Sequence, residues 1–396
     1  MIILVIATEG IKMKRVNGIM LLLASEMVIS GCSSGSSNGT TQPSPYQFVV
    51  DAGSSGSRIY VYNKLTTESG LVINDLYESK INIPLASFAN NPQDAGSYGI
   101  QPLLTSAINF IQTRESTVNL AIIPTSVLGT AGMRLVPESQ QNAIYQSVAA
   151  TIIENNLELD QTKTISGQYE GIYSWADVNY LQNNFGNNIT NGIFEVGGAS
   201  TQVAFATPQA SSESIIKISV NNKFYNVYAI SFLGLGQDVA RNTMNTLANH
   251  NACYPLGYSS TLLDINGNFD FSNCVSNYDS VIAPYPEINQ VKDVAGYSSE
   301  SFIGIASVYY ALSFWNIESQ PGLLTQNINS TCVENYAQIV AQHPTAFKPE
   351  NQCANSTLIN TMMFNNLAME SSQLTAVETI NGTPLTWTLG YVLVQD

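Results

Sequence analysis

Two separate stretches of the chain share one order of apolar and polar positions. Gln47–Val50 has the length and apolar content of a buried strand. It breaks into a turn, Asp51-Ala52-Gly53-Ser54-Ser55-Gly56-Ser57-Arg58, and Ile59–Tyr62 resumes as a second strand. Much later Ile193-Phe194 leads in the same way through Glu195-Val196-Gly197-Gly198-Ala199-Ser200-Thr201-Gln202 into Val203-Ala204-Phe205. Placing Asp51 on Glu195 also places Gly53 on Gly197, at an offset of 144 residues. Such an internal repeat predicts two related lobes, each presenting one acidic, Gly/Ser-rich hairpin. Between the hairpins, Pro137 followed by Glu138 marks a helix start, and Ala143 to Ile153 carries helical periodicity. Tyr169–Leu181 reads as a further helix, Phe302–Trp315 as an apolar, aromatic-rich one, and the Asn-rich stretches 183–191 and 245–251 as surface loops. Strands interleaved with helices predict an α/β protein with two lobes and a cleft between them.

Composition narrows the partners. The 396 residues are 44% apolar, which suits a globular chain of two domains, but only 11% are charged and the formal net charge is −15. Fourteen Lys and Arg exclude tracking of a nucleic-acid backbone, which needs clustered cations. A small anion remains compatible, because backbone N–H groups and a divalent cation neutralise it without basic side chains.

The N-terminus reads as an export signal over residues 1–32. Lys14 and Arg15 precede the apolar run Val16–Ile29, which is too short to span a bilayer; Met13 is an alternative start, and Glu26 interrupts the run. Ile29-Ser30-Gly31-Cys32 resembles the lipobox of bacterial lipoproteins. That resemblance implies a lipidated Cys32 and membrane attachment by lipid alone, with ordinary signal-peptidase cleavage as the alternative. Residues 33–45 then form a flexible tether. The protein is expected to be exported: periplasmic, an outer-membrane lipoprotein or secreted. Cys253, Cys274, Cys332 and Cys353 allow three connectivities. Sequential pairing, Cys253 with Cys274 and Cys332 with Cys353, closes two short loops in an oxidising compartment. Metal ligation is the alternative, without a CxxC or His pattern to support it.

The hairpins carry the chemistry. Their glycines let backbone approach a ligand and expose consecutive N–H groups to phosphate oxygens, and Ser54, Ser55, Ser57, Ser200 and Thr201 add hydroxyl donors. Asp51 and Glu195, at the strand ends, suit a hydrated Mg²⁺ or Ca²⁺.

With these segments in view the chain resembles the ecto-nucleoside triphosphate diphosphohydrolases, or ecto-apyrases, particularly their bacterial members. Five characteristic regions follow in order: Asp51–Arg58, Gly129–Leu135, Gly167–Leu181, Phe194–Gln202 and Thr386–Gly390. The resemblance implies two RNase H-like lobes of the actin and heat-shock ATPase superfamily, with 46–165 and 386–396 as lobe I and 166–385 as lobe II. It implies a monomer that hydrolyses nucleoside tri- and diphosphates with a divalent cation. By the same resemblance Glu170 matches the base that deprotonates the attacking water, and Ser200 and Gln202 match the residues that position it. Gly53, Ser54, Ser55, Gly56, Ser57 and Arg58 match phosphate-binding positions, as do Thr130, Arg134, Gly197, Gly198 and Ala199. Trp387 matches a tryptophan near the metal site, and Tyr310 an aromatic that stacks on the base.

Two departures stand out. Glu195 is an Asp in eukaryotic relatives, so its carboxylate reaches about 1.5 Å further. Gln237, in a stretch resembling a base-contacting one, replaces an Arg. Other phosphatase chemistries fit poorly: two histidines are too few for a dinuclear metallophosphatase, and no P-loop is present. An exopolyphosphatase or guanosine pentaphosphate phosphatase of the same superfamily is the closest enzymatic alternative, and a nucleotide-binding surface lipoprotein without turnover is the non-enzymatic one.

Overall fold

The computed structural model describes residues 44–68, 70–186 and 189–395. The expected export signal lies outside the described residues, as does the tether except for Ser44 and Pro45.

Two sheets repeat one plan. In the first, β1 (Tyr46–Ala52) pairs antiparallel with β2 (Ser57–Thr67), and β2 with β3 (Gly70–Ile81). On its other side β1 pairs parallel with β4 (Pro124–Gly129), followed by the edge strand β5 (Glu158–Thr164). Side chains alternate across β1. Phe48 and Val50 pack against α1 (Gln101–Arg114) and α3 (Glu138–Glu154), while Val49 faces the opposite core. A short turn of helix, α2 (Ala131–Arg134), follows β4. α4 (Gly167–Leu181) begins at the cap Ser166, whose Oγ accepts the Tyr169 N–H at 3.2 Å.

The second sheet has its own hairpin, β6 (Gly192–Val196) and β7 (Ser200–Ala206), extended by β8 (Ile215–Val220) and β9 (Lys223–Leu233) in the order β6-β7-β9-β8. α5 (Gln237–Met244), the minimal hairpin β10 (Ser259–Ser260) and β11 (Ile265–Asn266), and α6 (Phe271–Ile282) come next. β12 (Phe302–Ala306) pairs parallel with β6, as β4 does with β1, and runs straight into α7 (Ser307–Ser313).

The expected helix over 302–315 is therefore a strand followed by a short helix. Ile303 sits in the ladder between β6 and β13 (Leu374–Ala376), Ile305 pairs with Glu195 of β6, and Ala306 turns the chain at φ 55°, a left-handed value with no glycine to signal it. An unbroken apolar run does not distinguish these outcomes by periodicity. Helices α8 (Leu324–Thr331), α9 (Tyr336–Gln342) and α10 (Pro349–Asn360) complete the core on the outer face of this sheet. Both expected disulfides, Cys253–Cys274 and Cys332–Cys353, are buried there.

A third core joins the sheets. It contains Val49, Tyr60 and Tyr62 from the first, Ile193, Ala204 and Ile303 from the second, and between them α4 and the C-terminal α11 (Trp387–Gln395). At their crossing a Cβ on Gly390 would come within 2.7 Å of the Tyr173 carbonyl carbon, so glycine sets that separation. No helix among the described residues is long and apolar enough to cross a membrane.

Candidate active site

The two hairpin turns, from opposite sheets, meet at Ser54. A Cβ on Gly198 of the second turn would stand 2.6 Å from the Ser54 Oγ, and one on Gly132 of α2 would stand 2.9 Å from the Ser54 Cα. Three loops thus approach at distances that only unsubstituted backbone allows. Behind the first turn, Gly56 lies flat against the end of β3, where a Cβ would stand 2.5 Å from the Ile81 carbonyl oxygen.

The second turn is held by α5. Its first N–H groups, which have no partner within the helix, donate to the turn's carbonyls: Gln237 to Gly197 and Asp238 to Gly198, both at 2.9 Å. Gly234 N–H donates to Ala199 at 2.8 Å, and Gly197 N–H closes the turn on the Ser200 carbonyl at 2.9 Å. Gln237 also accepts a side-chain hydrogen bond from Asn355 at 2.9 Å, so its side chain is committed within the lobe.

α4 runs alongside. Gly171 brings it against β7, where a Cβ would touch the Gln202 Cβ at 3.4 Å. Glu170, Ser174 and Asp177 fall at i, i+4 and i+7 and form one stripe. Glu170 is buried, ion-paired with Arg134, and accepts the Gln202 side-chain N–H at 3.3 Å. Both donors fall on Oε2. The Gln202 Nε2 also reaches the Ser200 Oγ at 2.6 Å and the Ser231 Oγ at 3.1 Å, which ties Glu170, Ser200 and Gln202 into one buried cluster. Ser174 donates to Glu195 Oε2 at 2.7 Å.

Of the positions expected to contact phosphate, Arg134 has its guanidinium on Glu170, and its Nε is buried without a partner. Thr130 is buried at the base of α2, with its N–H on the Ala52 carbonyl at 3.2 Å. Gly53, Ser55, Gly56, Ser57 and Arg58 line a cavity of about 270 Å³, together with Asp51, Glu195 and Trp387. Tyr310 is half exposed at its rim, donates to Glu378 Oε1 at 3.1 Å, and also borders a larger adjoining cavity of about 790 Å³. The sequence reading missed Lys80, Ser174 and Asp177, which line the smaller cavity too. Ser174 and Asp177 were within reach of the helical spacing from Glu170. Lys80 needs the register that sets it opposite Arg58 across β2 and β3.

Charge is costly here. Burial pushes the Asp51 carboxyl up to about 7, and the Glu170 charge adds to the shift. Glu195 is raised by the same two causes in the same order. Burial also raises Glu170, against the pull of Arg134. Asp51 Oδ1 is buried with no hydrogen-bond partner, and Trp387 lines the same cavity. Three crowded carboxylates with an unpartnered oxygen suit a hard cation. Among the described residues no three His, Cys, Asp or Glu side chains are grouped to ligate a metal directly.

Paired sheets of this plan, with a glycine-rich acidic hairpin from each meeting across α4, place the chain in the two-lobed α/β class expected above. Residues 38–395 match the GDA1/CD39 (nucleoside phosphatase) family, and the chain belongs to it. It is 26% identical to probable apyrase 4 of Arabidopsis thaliana, over 88% of this chain and 79% of that protein. With the Golgi apyrase of Saccharomyces cerevisiae it shares 27% identity over 88% of this chain and 70% of that one. Its fold is similar to the crystal structure of a nucleoside triphosphate hydrolase from Neospora caninum, with a TM-score of 0.67 at 15% identity, covering 88% and 92% of the two chains.

Proposed function

We propose that this protein is an apyrase, removing terminal phosphates from nucleoside tri- and diphosphates by direct attack of water. The observation that carries the reading is the convergence of both acidic hairpins on Ser54, with Glu170 clustered beside them. In this reading the backbone of Gly53–Arg58 and Gly197–Ala199 cradles the phosphate chain, with Thr130 and Arg134 as further contacts. Glu170 takes the proton of the attacking water on Oε1, the oxygen that neither Arg134 nor Gln202 occupies, and Ser200 and Gln202 orient that water. Oxygen bonds to the terminal phosphorus as its bond to the bridging oxygen breaks, and the shortened nucleotide leaves with that electron pair. Burial raises Glu170, which moves a carboxylate towards the range where a general base works at neutral pH.

Asp51 and Glu195, with Trp387 beside them, would hold Mg²⁺ or Ca²⁺ largely through water. When bound, the cation neutralises charge on the phosphate oxygens. Tyr310 would stack on the base. Lobe I, 46–165 with 386–396, and lobe II, 166–385, would enclose a monomer's single site. Export from the cytoplasm, with Cys32 as a lipid anchor, completes the reading.

The test follows ATP, ADP and AMP over time with purified protein and Mg²⁺, with chelator added to one arm and long-chain polyphosphate replacing ATP in another. AMP and phosphate are expected from ATP, chelator is expected to stop their release, and polyphosphate is expected to yield little. ATP binding without phosphate release would make the protein a binding module. Phosphate from polyphosphate alone would make it an exopolyphosphatase.

A further inference from the structure

The hairpins bring two acids to the small cavity, and α4 brings another. Asp177 lies three residues beyond Ser174 on the Glu170 stripe, is 1% exposed and lines the same cavity as Asp51, Glu195 and Trp387. Its two oxygens differ. Oδ2 accepts the Thr386 N–H at 2.8 Å, which fixes the side chain beside the segment that leads into Trp387. Oδ1 is buried with no hydrogen-bond partner, as Asp51 Oδ1 is. A structural tie to Thr386 needs one acceptor, and a neutral amide supplies it. It does not need a second carboxylate oxygen left without a donor, which is a destabilising arrangement in the apo protein. Two such oxygens, from residues lining one cavity, suit the waters around a single hard cation.

We propose that Asp177 is an additional carboxylate of the divalent-cation site, acting through Oδ1 on the water shell that Asp51 and Glu195 also hold. The inference rests on the cation-dependent reading above. Asp177 gives this chain three acids around the ion, and the extra charge tightens its hold before nucleotide binds.

The test is calorimetric titration of the purified protein with Mn²⁺, without nucleotide and with a non-hydrolysable ATP analogue, alongside apo-protein melting temperatures. Asp177→Asn keeps an acceptor for Thr386 and removes the charge. Mn²⁺ affinity is expected to fall about 10-fold or more, the scale typical of losing a supporting group at a metal site. The apo melting temperature is expected to hold or rise. Wild-type affinity for Mn²⁺ in Asp177→Asn would overturn the inference while leaving the apyrase reading intact. Failure of the wild type to bind Mn²⁺ in either arm would overturn both. Should Asp177→Asn not fold, Asp177→Ser, which also keeps an acceptor without charge, is titrated in its place under the same criterion.

Discussion

The two hairpins share their sequence order but not their supports. The turn at 197–199 is clamped by backbone: the first N–H groups of α5 occupy its carbonyls, and Gly234 holds Ala199. The turn at 53–56 is held by close approach instead, with Gly56 against the end of β3 and Ser54 against Gly132. The acids differ in the same way. Glu195 is hydrogen-bonded by Ser174 on Oε2, whereas Asp51 keeps Oδ1 buried and unpartnered. A repeat in sequence therefore predicts where two loops lead, and the elements packed around each copy decide what holds it.

Replacing the group that both hairpins flank should have the largest effect. Glu170→Gln is expected to lower kcat by at least about 10²-fold with nucleotide affinity largely kept, as for loss of a general base. Steady-state kinetics beside equilibrium binding checks this, and wild-type turnover would refute the role. Next comes the asymmetry of the cores. Both disulfides sit behind the second sheet and each spans 21 residues, so reduction should cost about 3 kcal/mol per bond. Melting with and without reductant measures the loss. Hydrogen exchange should quicken in β6–β9 before β1–β4, and equal quickening would deny the difference. The smallest and sharpest contrast lies between the acids. Asp51→Asn should weaken Mn²⁺ binding towards about 100-fold, and Glu195→Gln nearer about 10-fold, because Asp51 has an oxygen, Oδ1, buried without a hydrogen-bond partner whereas Ser174 bonds Glu195. Equal losses by calorimetry would remove the distinction.

Local grammar made the hairpins, the helix after Pro137 and α4 readable from the sequence, because each is set by turn residues, a cap or spacing within a few positions. The strand at Phe302–Ala306 was not readable, since Ala306 adopts its left-handed turn without glycine and the strand exists through its neighbours β6 and β13. Site residues divide the same way. Glu170, Ser200 and Gln202 lie inside their motifs, and the structure brings them into one cluster. The Arg134 ion pair with Glu170 depends on how α2 and α4 pack, and Lys80 on the pairing of a long hairpin with a register shift at Val61/Tyr62. No local signal encodes either.

The meeting of segments so far apart in the chain has a cost in time. Tyr62 and Thr388 share a hydrogen bond of 2.7 Å across 326 residues, and Trp387 lines the same cavity as Asp51. The face of Val49, Tyr60 and Tyr62 is covered only when α11 docks on it, a non-local contact that pays its loop-closure entropy before it gains burial. Closure of the cavity that Trp387 lines with Asp51 and Glu195 therefore depends on the docking of α11, whose partners on the first sheet lie near the opposite end of the described chain.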